Sequence, residues 1–465
     1  MQTHVCILAA GQSKRMKSKL SKLLHPLCRK PMIDYALAAV SEFQPLSTTV
    51  VVGFQRDQIM NALEGKNVDF VVQEEPLGTA HAVMQFLKQN GGKKGSVLVL
   101  NGDTPLIQKE LLQRLLSFHQ QKHAAISLIT ADLNHPQGYG RIVRAGDGML
   151  MRIVEEADAT EAERAIPEVN AGIYMFEIEM LRELLPLVST ENKQKEYYLP
   201  DVIGFALQKN LVVAPMMGNA EEVLGINTRV EMAEAERLLR RRINQQWMLR
   251  GVTMHDPDRI YIDAEVQIGT DVVLYPGVWL EGSSMIGSEV AIYPNCRIAN
   301  SYIDSGCIVY ENCSIDQAHV EAGVRIGPFA RIRPETHLSR GVRIGNFVEV
   351  KKSYIGEGTK ANHLSYLGDA TIGKNVNVGA GTITCNYDGE KKHPTTIEDG
   401  VFIGSDTQLI APVRIGKDAY VAAGSSITDD VPPGSLAIAR GKQVNKPGWV
   451  EKKKKPQRHG GTEKK

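Results

Sequence analysis

The chain has 465 residues, and its 54 Lys and Arg balance 53 Asp and Glu, so overall charge gives no indication of a nucleic-acid partner. This length exceeds one ordinary core and predicts two domains. The six cysteines form no Cys-x-x-Cys pair, which is typical of a reducing compartment. The apolar run 5–10 is too short for a signal-peptide core or a membrane span. We therefore expect a cytoplasmic protein without membrane insertion.

Residues 1–228 alternate short β-branched runs with helical stretches, which predicts a mostly parallel sheet with helices on both faces. The predicted strands are Val5–Ala9, Thr49–Val52, Val68–Val72, Val97–Leu100 and Ala125–Leu128. The predicted helices are Asp57–Leu63, Ala80–Lys88 and Lys109–His119.

Residues 229–250 predict one charged helix that connects the two domains. Its apolar stripe recurs every four residues, at Ala235, Leu239, Ile243 and Trp247.

After Gly251 the periodicity changes to six, a period that fits neither a helix nor one alternating strand. The 42 glycines and 6% aromatic residues also favour tight, regular turns. A hexad repeat predicts a three-sided prism with one aliphatic residue of each side in the core, a left-handed parallel β-helix over 251–449. The repeat comprises Ile268, Leu274, Leu280, Ile286, Ile292, Ile298, Ile303, Val309, Ile315, Val320, Ile326, Ile332, Leu338, Ile344, Val350, Ile397, Ile403, Leu409, Ile415, Val421 and Ile427. We expect the basic segment 450–465 to be a solvated, disordered tail.

The segment 8–16 (LAAGQSKRM) directly follows the first predicted strand and predicts a phosphate-binding loop. Arg15 and Lys22 would add positive charge where a triphosphate lies, although a single glycine after a strand also fits a plain tight turn. Asp103 stands just past the end of a buried strand, where open sheets bind ligands and a carboxylate suits Mg²⁺. The alternative role of Asp103 is the N-cap of a helix after Pro105.

Arg333 and Lys351 are 18 residues apart, one full coil, and each follows a core aliphatic residue. They should lie one above the other with no intervening acid, an arrangement that favours a bound phosphate over two solvated surface cations. His363 lies beyond this pair in ANHLSYLGD and could accept an amine proton near neutral pH. The stretch 379–392 breaks the hexad period and predicts a projecting loop.

These motifs appear in one order that resembles the sugar-1-phosphate nucleotidyltransferases: LAAG…RM, 22–25 (KLLH), 73–81 (QEEPLGTAH), 101–103 (NGD), 138–141 (GYGR), 153–155 (IVE), 170–172 (NAG) and 196–198 (EYY). With the second half, including HLSYLGD and GAGTITCNYDG, the chain resembles the family of bacterial bifunctional N-acetylglucosamine-1-phosphate uridyltransferase/glucosamine-1-phosphate acetyltransferases over nearly all of 4–449. The resemblance implies a homotrimer that uses glucosamine-1-phosphate, acetyl-CoA and UTP with Mg²⁺ in the synthesis of UDP-N-acetylglucosamine, a precursor of peptidoglycan and lipopolysaccharide.

The same resemblance implies the roles of individual residues in the first half. Nucleotide contacts are implied for Leu8, Ala9, Ala10, Gly11, Arg15, Lys22, Gln73, Gly78, Thr79, Asn101 and Gly102. Sugar contacts are implied for Gly138, Glu155 and Asn170, and Mg²⁺ ligands for Asp103 and Asn227; from its own context, Asn227 reads as a capping residue.

In the second half the resemblance implies His363 as the general base, with Glu349 orienting it. The sugar phosphate would be held by Arg333, Lys351, Tyr366, Asn377 and Lys392. Acetyl-CoA would be held by Ala380, Asn386, Tyr387, Ser405, Ala423 and Arg440, in a groove between prisms of the trimer.

The chain departs from the family pattern at Ser13, Ser21, Lys195 and Pro200. Ser13 would narrow the phosphate loop if its position needs a positive φ. Two other functions remain open: a single-activity nucleotidyltransferase with a structural β-helix, and an assembly protein with a degraded nucleotide site. The HLSYLGD segment and the Asn386-Tyr387 loop argue against the first, because a scaffold needs neither, and Ser13 is the only support for the second.

Overall fold

The computed structural model describes residues 2–12 and 14–454. Contacts divide the chain into two compact units. The first comprises the residues up to 250 together with 260–265, and the second comprises 251–259 with the residues from 266 onward. Ser13, whose side chain was expected to narrow the phosphate loop, lies outside the described residues.

The first unit is built on one large sheet with strand order β11-β7-β10-β6-β1-β4-β5. Strand β10 runs antiparallel to both neighbours, whereas the other pairs along this path are parallel. This agrees with the mostly parallel sheet that strand–helix alternation predicted. The strands of this unit are β1 (Thr3–Ala9), β2 (Pro26–Leu27), β3 (Lys30–Pro31), β4 (Ser47–Val52), β5 (Asp69–Val72), β6 (Ser96–Asn101), β7 (Ile126–Asp132), β8 (Arg141–Arg144), β9 (Leu150–Val154), β10 (Glu168–Glu177) and β11 (Val213–Met217).

Helices cover both faces of this sheet, because successive strand residues point to opposite sides. Val5 and Ile7 bury into one apolar core with α1, α4 and α8, and Cys6 buries into another with α3, α6 and α7. The helices are α1 (Met32–Phe43), α2 (Arg56–Ala62), α3 (Thr79–Gln89), α4 (Lys109–Gln121), α5 (Glu161–Arg164), α6 (Ile178–Leu184), α7 (Asp201–Gln208) and α8 (Arg229–Leu249).

Helix α8 forms where the connector was predicted, but it packs within the first unit. Thr228 caps it through a reciprocal hydrogen-bond box with Glu231. Ala235 and Leu239 are buried in the same core as α1 and α4. The apolar stripe thus attaches the helix to the first unit.

The second unit is a parallel β-helix of three sheets, and each coil contributes one strand to each sheet. The first sheet contains β12 (Thr253–Met254), β15 (Val273–Leu274), β18 (Ala291–Ile292), β21 (Ile308–Val309), β24 (Arg325–Ile326), β27 (Arg343–Asn346), β30 (Lys360–His363), β33 (Asn377–Val378), β36 (Phe402–Ile403), β39 (Tyr420–Val421) and β41 (Leu436–Ala437). The second contains β13 (Tyr261–Ile262), β16 (Trp279–Glu281), β19 (Arg297–Ala299), β22 (Ser314–Asp316), β25 (Arg331–Ile332), β28 (Glu349–Lys351), β31 (Tyr366–Gly368), β34 (Ile383–Cys385), β37 (Gln408–Ile410) and β40 (Ser426–Ile427). The third contains β14 (Gln267–Ile268), β17 (Met285–Ile286), β20 (Tyr302–Ile303), β23 (Ala318–Val320), β26 (Thr336–Leu338), β29 (Tyr354–Ile355), β32 (Ala370–Ile372), β35 (Thr395–Ile397) and β38 (Val413–Ile415).

The hexad residues form the core of this prism, as their spacing predicted. All are buried except Ile268, in the lowest coil of the third sheet, which is partly exposed. The predicted loop 379–392 is wrong in part, because β34 (Ile383–Cys385) continues the second sheet through it. The inserted residues follow as the segment 386–394.

The predicted disordered tail also needs correction at its start. Trp449–Lys454 form a short helix, α9, whose last turn carries three lysines. The remaining tail residues, 455–465, lie outside the described part of the chain. Within residues 2–12 and 14–454, no helix combines the length and apolar character needed to cross a membrane.

Candidate active sites

Loops at the carboxyl ends of four parallel strands line the first candidate site. Leu8 lies beside Asn101 in the register of β1 and β6, and the neighbouring strands end at Val52 and Val72. Parallel strands bring their carboxyl ends to one edge, where open α/β sheets bind ligands. The sequence motifs of the candidate site therefore lie at the carboxyl edge of the sheet.

A cavity of about 390 Å³ opens at this edge. It contains nine of the eleven residues for which the family resemblance implied nucleotide contacts: Leu8, Ala9, Ala10, Gly11, Lys22, Gln73, Gly78, Thr79 and Asn101. Gly102 does not line it; its amide donates a hydrogen bond to the Leu8 carbonyl at 2.9 Å.

The QEEPLGT segment is held to the cavity wall by specific contacts. The Gln73 side chain is buried, and its amide nitrogen lies 3.1 Å from the Gly78 carbonyl oxygen. Gly78 has φ +109°, and a Cβ there would lie 2.6 Å from the Tyr197 carbonyl oxygen, so only glycine fits. The Thr79 hydroxyl accepts a hydrogen bond from the Leu199 amide at 3.0 Å.

A second cavity, of about 240 Å³, adjoins the first and shares Leu8, Thr79, Asn101 and Asp103 with it. It contains the residues with implied sugar contacts, Gly138, Glu155 and Asn170, together with Asn227. Arg15 also lines this second cavity, although the sequence placed it with Lys22 at the triphosphate. The Arg15 guanidinium points toward Gly138, where an added Cβ would lie 3.9 Å from its Nη1 atom.

An irregularity in β10 presents Asn170 to this cavity. The pairing with β7 shifts register between Asn170 and Tyr174, so the strand bulges at the site. The Asn170 amide nitrogen donates to the Tyr174 hydroxyl at 2.6 Å, and its oxygen accepts from the Gly172 amide at 3.2 Å. Both ends of this buried side chain are thus oriented by the protein.

Glu155 is a buried carboxylic acid in the second cavity. Burial raises the pKa of Glu155 to about 7, and the nearby carboxylates of Asp201, Asp158 and Glu196 act in the same direction. A carboxyl group with such a pKa is partly protonated near neutrality and can donate a hydrogen bond to a hydroxyl or amide oxygen of a ligand.

Asp103 and Asn227 both contact the ammonium group of Lys22. The Lys22 ammonium lies 2.5 Å from Asp103 Oδ2 and 3.0 Å from Asn227 Oδ1. A carboxylate and an amide oxygen brought together in this way fit a divalent cation that prefers oxygen ligands. The alternative role of Asp103 as a helix N-cap is wrong, because the next helix begins at Lys109 with Gln108 at its N-cap. Asn227 is likewise not the N-cap of α8, because Thr228 takes that position.

Three of the four departures from the family pattern lie within the described residues. Lys195 has φ +56°, so a side chain occupies a left-handed position that favours glycine. Ser21 is buried and lines the first cavity, and Pro200 lines the second.

The second candidate site begins at the corner between the first and second sheets of the β-helix. His363 ends β30 and pairs with Asn346 below it. Continuing the same registers upward places Ala380, Ser405 and Ala423 in one column above His363. Backbone hydrogen bonds link Ala380 to Asp406 and Ser405 to Gly424, and the Arg440 guanidinium donates to the Ala423 carbonyl at 2.7 Å. The small side chains leave room along this column.

His363 is exposed, and its Nδ1 atom lies 3.0 Å from Asn346 Oδ1. An amide oxygen can only accept, so Nδ1 carries the proton and Nε2 keeps its lone pair for a substrate. Glu349, which the family resemblance implied as the orienting group, instead pairs with Arg333 at 2.7 Å. The expectation that no acid intervenes near the cation pair is therefore wrong.

Positive side chains collect along the second sheet. The neighbouring Lys392 ammonium lowers the pKa of Lys351, and partial burial and Arg333 act in the same direction. Asp369 partly offsets these effects. Gly368 lies directly above Lys351, and the Tyr366 hydroxyl leans over Gly368. Gly368 thus leaves room above Lys351 for the Tyr366 ring, which lies beside the cations.

The remaining predicted residues divide between two sides of the prism. Asn377 lies in the first sheet beside Lys360, away from the cation cluster. Asn386 donates to Asp369 at 2.5 Å and begins the inserted segment, and Tyr387 is exposed on it. Within one chain, Asn386 and Tyr387 therefore lie on the side of the prism that carries the cations. The other four acetyl-CoA candidates form the column.

Sequence reasoning missed two side chains that the geometry singles out. Asn346 bonds the candidate base, and Asp369 bonds Asn386. A 17-residue offset from His363 would have indicated Asn346, had the local coil length been known.

The two units match two families of transferases. Residues 5–171 match the MobA-like NTP transferase domain, and residues 394–429 match the bacterial transferase hexapeptide (six repeats). Fold and sites therefore define a nucleotidyltransferase joined to a hexapeptide-repeat transferase.

Relatives that match nearly the whole chain narrow the class of protein further. The Bifunctional protein GlmU of Trichlorobacter lovleyi is 48% identical over 450 residues, 96% of this chain and 98% of that protein. The proteins of the same name from Thermoanaerobacter pseudethanolicus and Listeria monocytogenes serotype 4b are each 47% identical, over 96% of this chain and 97% and 98% of their own lengths. The chain belongs to the bifunctional GlmU family and has its two activities, uridyltransferase and acetyltransferase. The resemblance drawn from the motifs is confirmed.

Proposed function

We propose that the first unit transfers a uridylyl group from UTP to N-acetylglucosamine-1-phosphate and releases pyrophosphate. The observation that carries this assignment is the pair of adjoining cavities with Asp103 on their shared wall. One cavity would hold the nucleotide and the other the sugar phosphate. The attacking phosphate oxygen and the α-phosphorus of UTP would then meet at the shared wall, with pyrophosphate leaving on the opposite side.

Charge neutralisation is the main task of the protein in this reaction, since no covalent intermediate is needed. Lys22 would face the triphosphate, and Arg15, from the second cavity, would face the phosphate of the sugar. Mg²⁺ bound through Asp103 and Asn227 oxygens would neutralise charge that develops on the phosphates. Glu155 and Asn170 would hold the sugar by hydrogen bonds.

We further propose that the second unit acetylates glucosamine-1-phosphate from acetyl-CoA. His363 Nε2 would take a proton from the substrate nitrogen, whose lone pair forms the bond to the acetyl carbon. The carbon–sulfur bond then breaks, and the CoA sulfur leaves with the electron pair and takes up a proton. Arg333, Lys351 and Lys392 would bind the sugar phosphate, and acetyl-CoA would lie along the column from Ala380 to Arg440.

The division of the acetyl-CoA candidates between two sides of the prism supports a homotrimer, in which Asn386 and Tyr387 of one copy complete the column of another. Hexapeptide repeats commonly form such assemblies. Light scattering on the full chain should give three times the 51.2 kDa of one chain. A monomeric mass with full acetyl transfer would contradict this arrangement. We propose that the enzyme is cytoplasmic, because its six cysteines are free thiols, as is typical of a reducing compartment.

One incubation tests the whole assignment. Glucosamine-1-phosphate, acetyl-CoA, UTP and Mg²⁺ should yield UDP-N-acetylglucosamine, free CoA and pyrophosphate. Product from N-acetylglucosamine-1-phosphate alone, with no acetylation of glucosamine-1-phosphate, would favour a single-activity enzyme with a structural β-helix.

A further inference from the structure

The third sheet of the β-helix carries two histidines in register on its outer surface. Strands β23 and β26 are parallel neighbours that pair His319 with His337. The flanking Val320 and Leu338 are buried in the core. Because side chains alternate along a strand, both imidazoles point away from the core on the same face.

These two rings lie in the middle of an aromatic ladder. The His319 ring lies 4.8 Å from Tyr302 and 4.7 Å from His337, and the His337 ring lies 5.3 Å from Tyr354. Tyr302 flanks this pair of imidazoles at one end and Tyr354 at the other. A comparable ladder in the first sheet, from His255 to Tyr310, contains one histidine and three tyrosines, so it offers no pair of imidazole ligands.

A carboxylate completes the group. Glu321 Oε1 lies 2.7 Å from His337 Nε2, and Glu321 Oε2 accepts a hydrogen bond from the Arg340 backbone amide at 2.9 Å. The contact with the Arg340 amide orients the carboxylate, as outer-shell contacts orient the ligands of a metal.

One ligand atom from each of the three residues lies within 4.8 Å of the others. In the described part of the chain, this is the one group of three such side chains that meets this spacing. Two imidazole nitrogens and one carboxylate oxygen match a zinc site that keeps a fourth position for water. Imidazole favours Zn²⁺, Ni²⁺ and Cu²⁺, whereas Mg²⁺ and Ca²⁺ prefer oxygen ligands.

We propose that His319, Glu321 and His337 bind a divalent transition-metal ion, Zn²⁺ in the first instance, on the outer face of the β-helix. Zinc–ligand distances of about 2.0–2.2 Å require the three atoms to draw closer together. His319 can make this movement because its side chain is exposed. The ion would join two successive coils, and it is distinct from the oxygen-ligand site at Asp103.

Zinc titration of the full-length protein tests the proposal. The protein is first stripped with a chelator and then kept in excess Mg²⁺, which occupies oxygen-ligand sites without competing for imidazole. Calorimetry with ZnCl₂ compares the wild type with His319→Gln, Glu321→Gln and the control His123→Gln, an exposed histidine of the first unit. The wild type and the control should bind one more Zn²⁺ per chain than His319→Gln, and Glu321→Gln should weaken that site at least tenfold. Equal stoichiometry and affinity in all four proteins would overturn the proposal.

Cobalt(II) gives a second measurement that reports the ligands directly. The intense visible absorption of tetrahedral Co²⁺ should appear with the wild type and the control and be absent from His319→Gln. Glu321→Gln leaves the ring ladder intact, so it reports the loss of a ligand even if the histidine substitution disturbs the stack. A Co²⁺ spectrum that is identical in the wild type and Glu321→Gln would rule out this carboxylate as a ligand.

Discussion

The Nδ1 atom of His363 lies 3.0 Å from Oδ1 of Asn346, one coil below it in the same sheet. This contact decides which nitrogen of the ring is available. Since the amide oxygen accepts, the outward Nε2 is the basic atom. His363 is thus the candidate base, and Asn346 is the residue that positions it.

His363→Ala should reduce acetyl transfer by about 10²-fold or more, the scale expected for loss of a general base. The residual rate should rise with pH, because the free amine of the substrate becomes more abundant. Uridylyl transfer and the assembled mass serve as controls and should not change. Wild-type acetylation by this variant at pH 7 would show that the base lies elsewhere.

Asn346 acts through His363, so its substitution should give a different signature. Asn346→Ala removes the acceptor and should slow acetyl transfer by less than His363→Ala does. Asn346→Asp keeps an acceptor and adds a negative charge that stabilises the imidazolium, so the rate should recover while the midpoint of its pH profile moves upward. A purely structural role would leave that midpoint unchanged in Asn346→Asp.

Asp103→Asn should abolish uridylyl transfer, because the cation-binding wall of the two cavities loses its charged ligand. Acetyl transfer should survive, since its candidate residues all lie in the second unit. Asp57→Asn is a matched control, because that carboxylate is 91% exposed on the same unit. Retained uridylyl transfer in Asp103→Asn would refute the metal assignment, and loss of both activities would indicate misfolding.

Patterns fixed by geometry could be predicted from the sequence. The hexad residues, such as Ile332 and Val350, are buried because a three-sided coil returns to the same side after each turn. Strand–helix alternation likewise located Asp103 at the carboxyl edge of a parallel sheet.

Features that depend on tertiary packing could not be predicted from periodicity. Coil lengths of 17 and 18 residues both occur, and a strict 18-residue step from His363 leads to Gly345 and misses Asn346. The stripe of α8 indicates that the helix buries one face but not against which unit. The sequence carries no periodic signal that would predict which of the two cavities Arg15 lines.

The last prediction concerns Glu155 and the pH dependence of stability. Burial raises its pKa in the folded protein to about 7 from an ordinary value of 4.5. Between these two values the folded state holds more protons than the unfolded state, so the free energy of unfolding falls as pH rises through this window and then levels off. A pKa shift of this size corresponds to on the order of 3 kcal/mol in the free energy of unfolding.

Glu155→Gln removes the titration, so its Tm should be close to that of the wild type near pH 4.5 and exceed it by several degrees at pH 8. Thermal unfolding across this range measures the difference, with the exposed Glu191→Gln as the control. A Tm difference between Glu155→Gln and the wild type that stays constant from pH 4.5 to pH 8 would show that Glu155 does not titrate in this window.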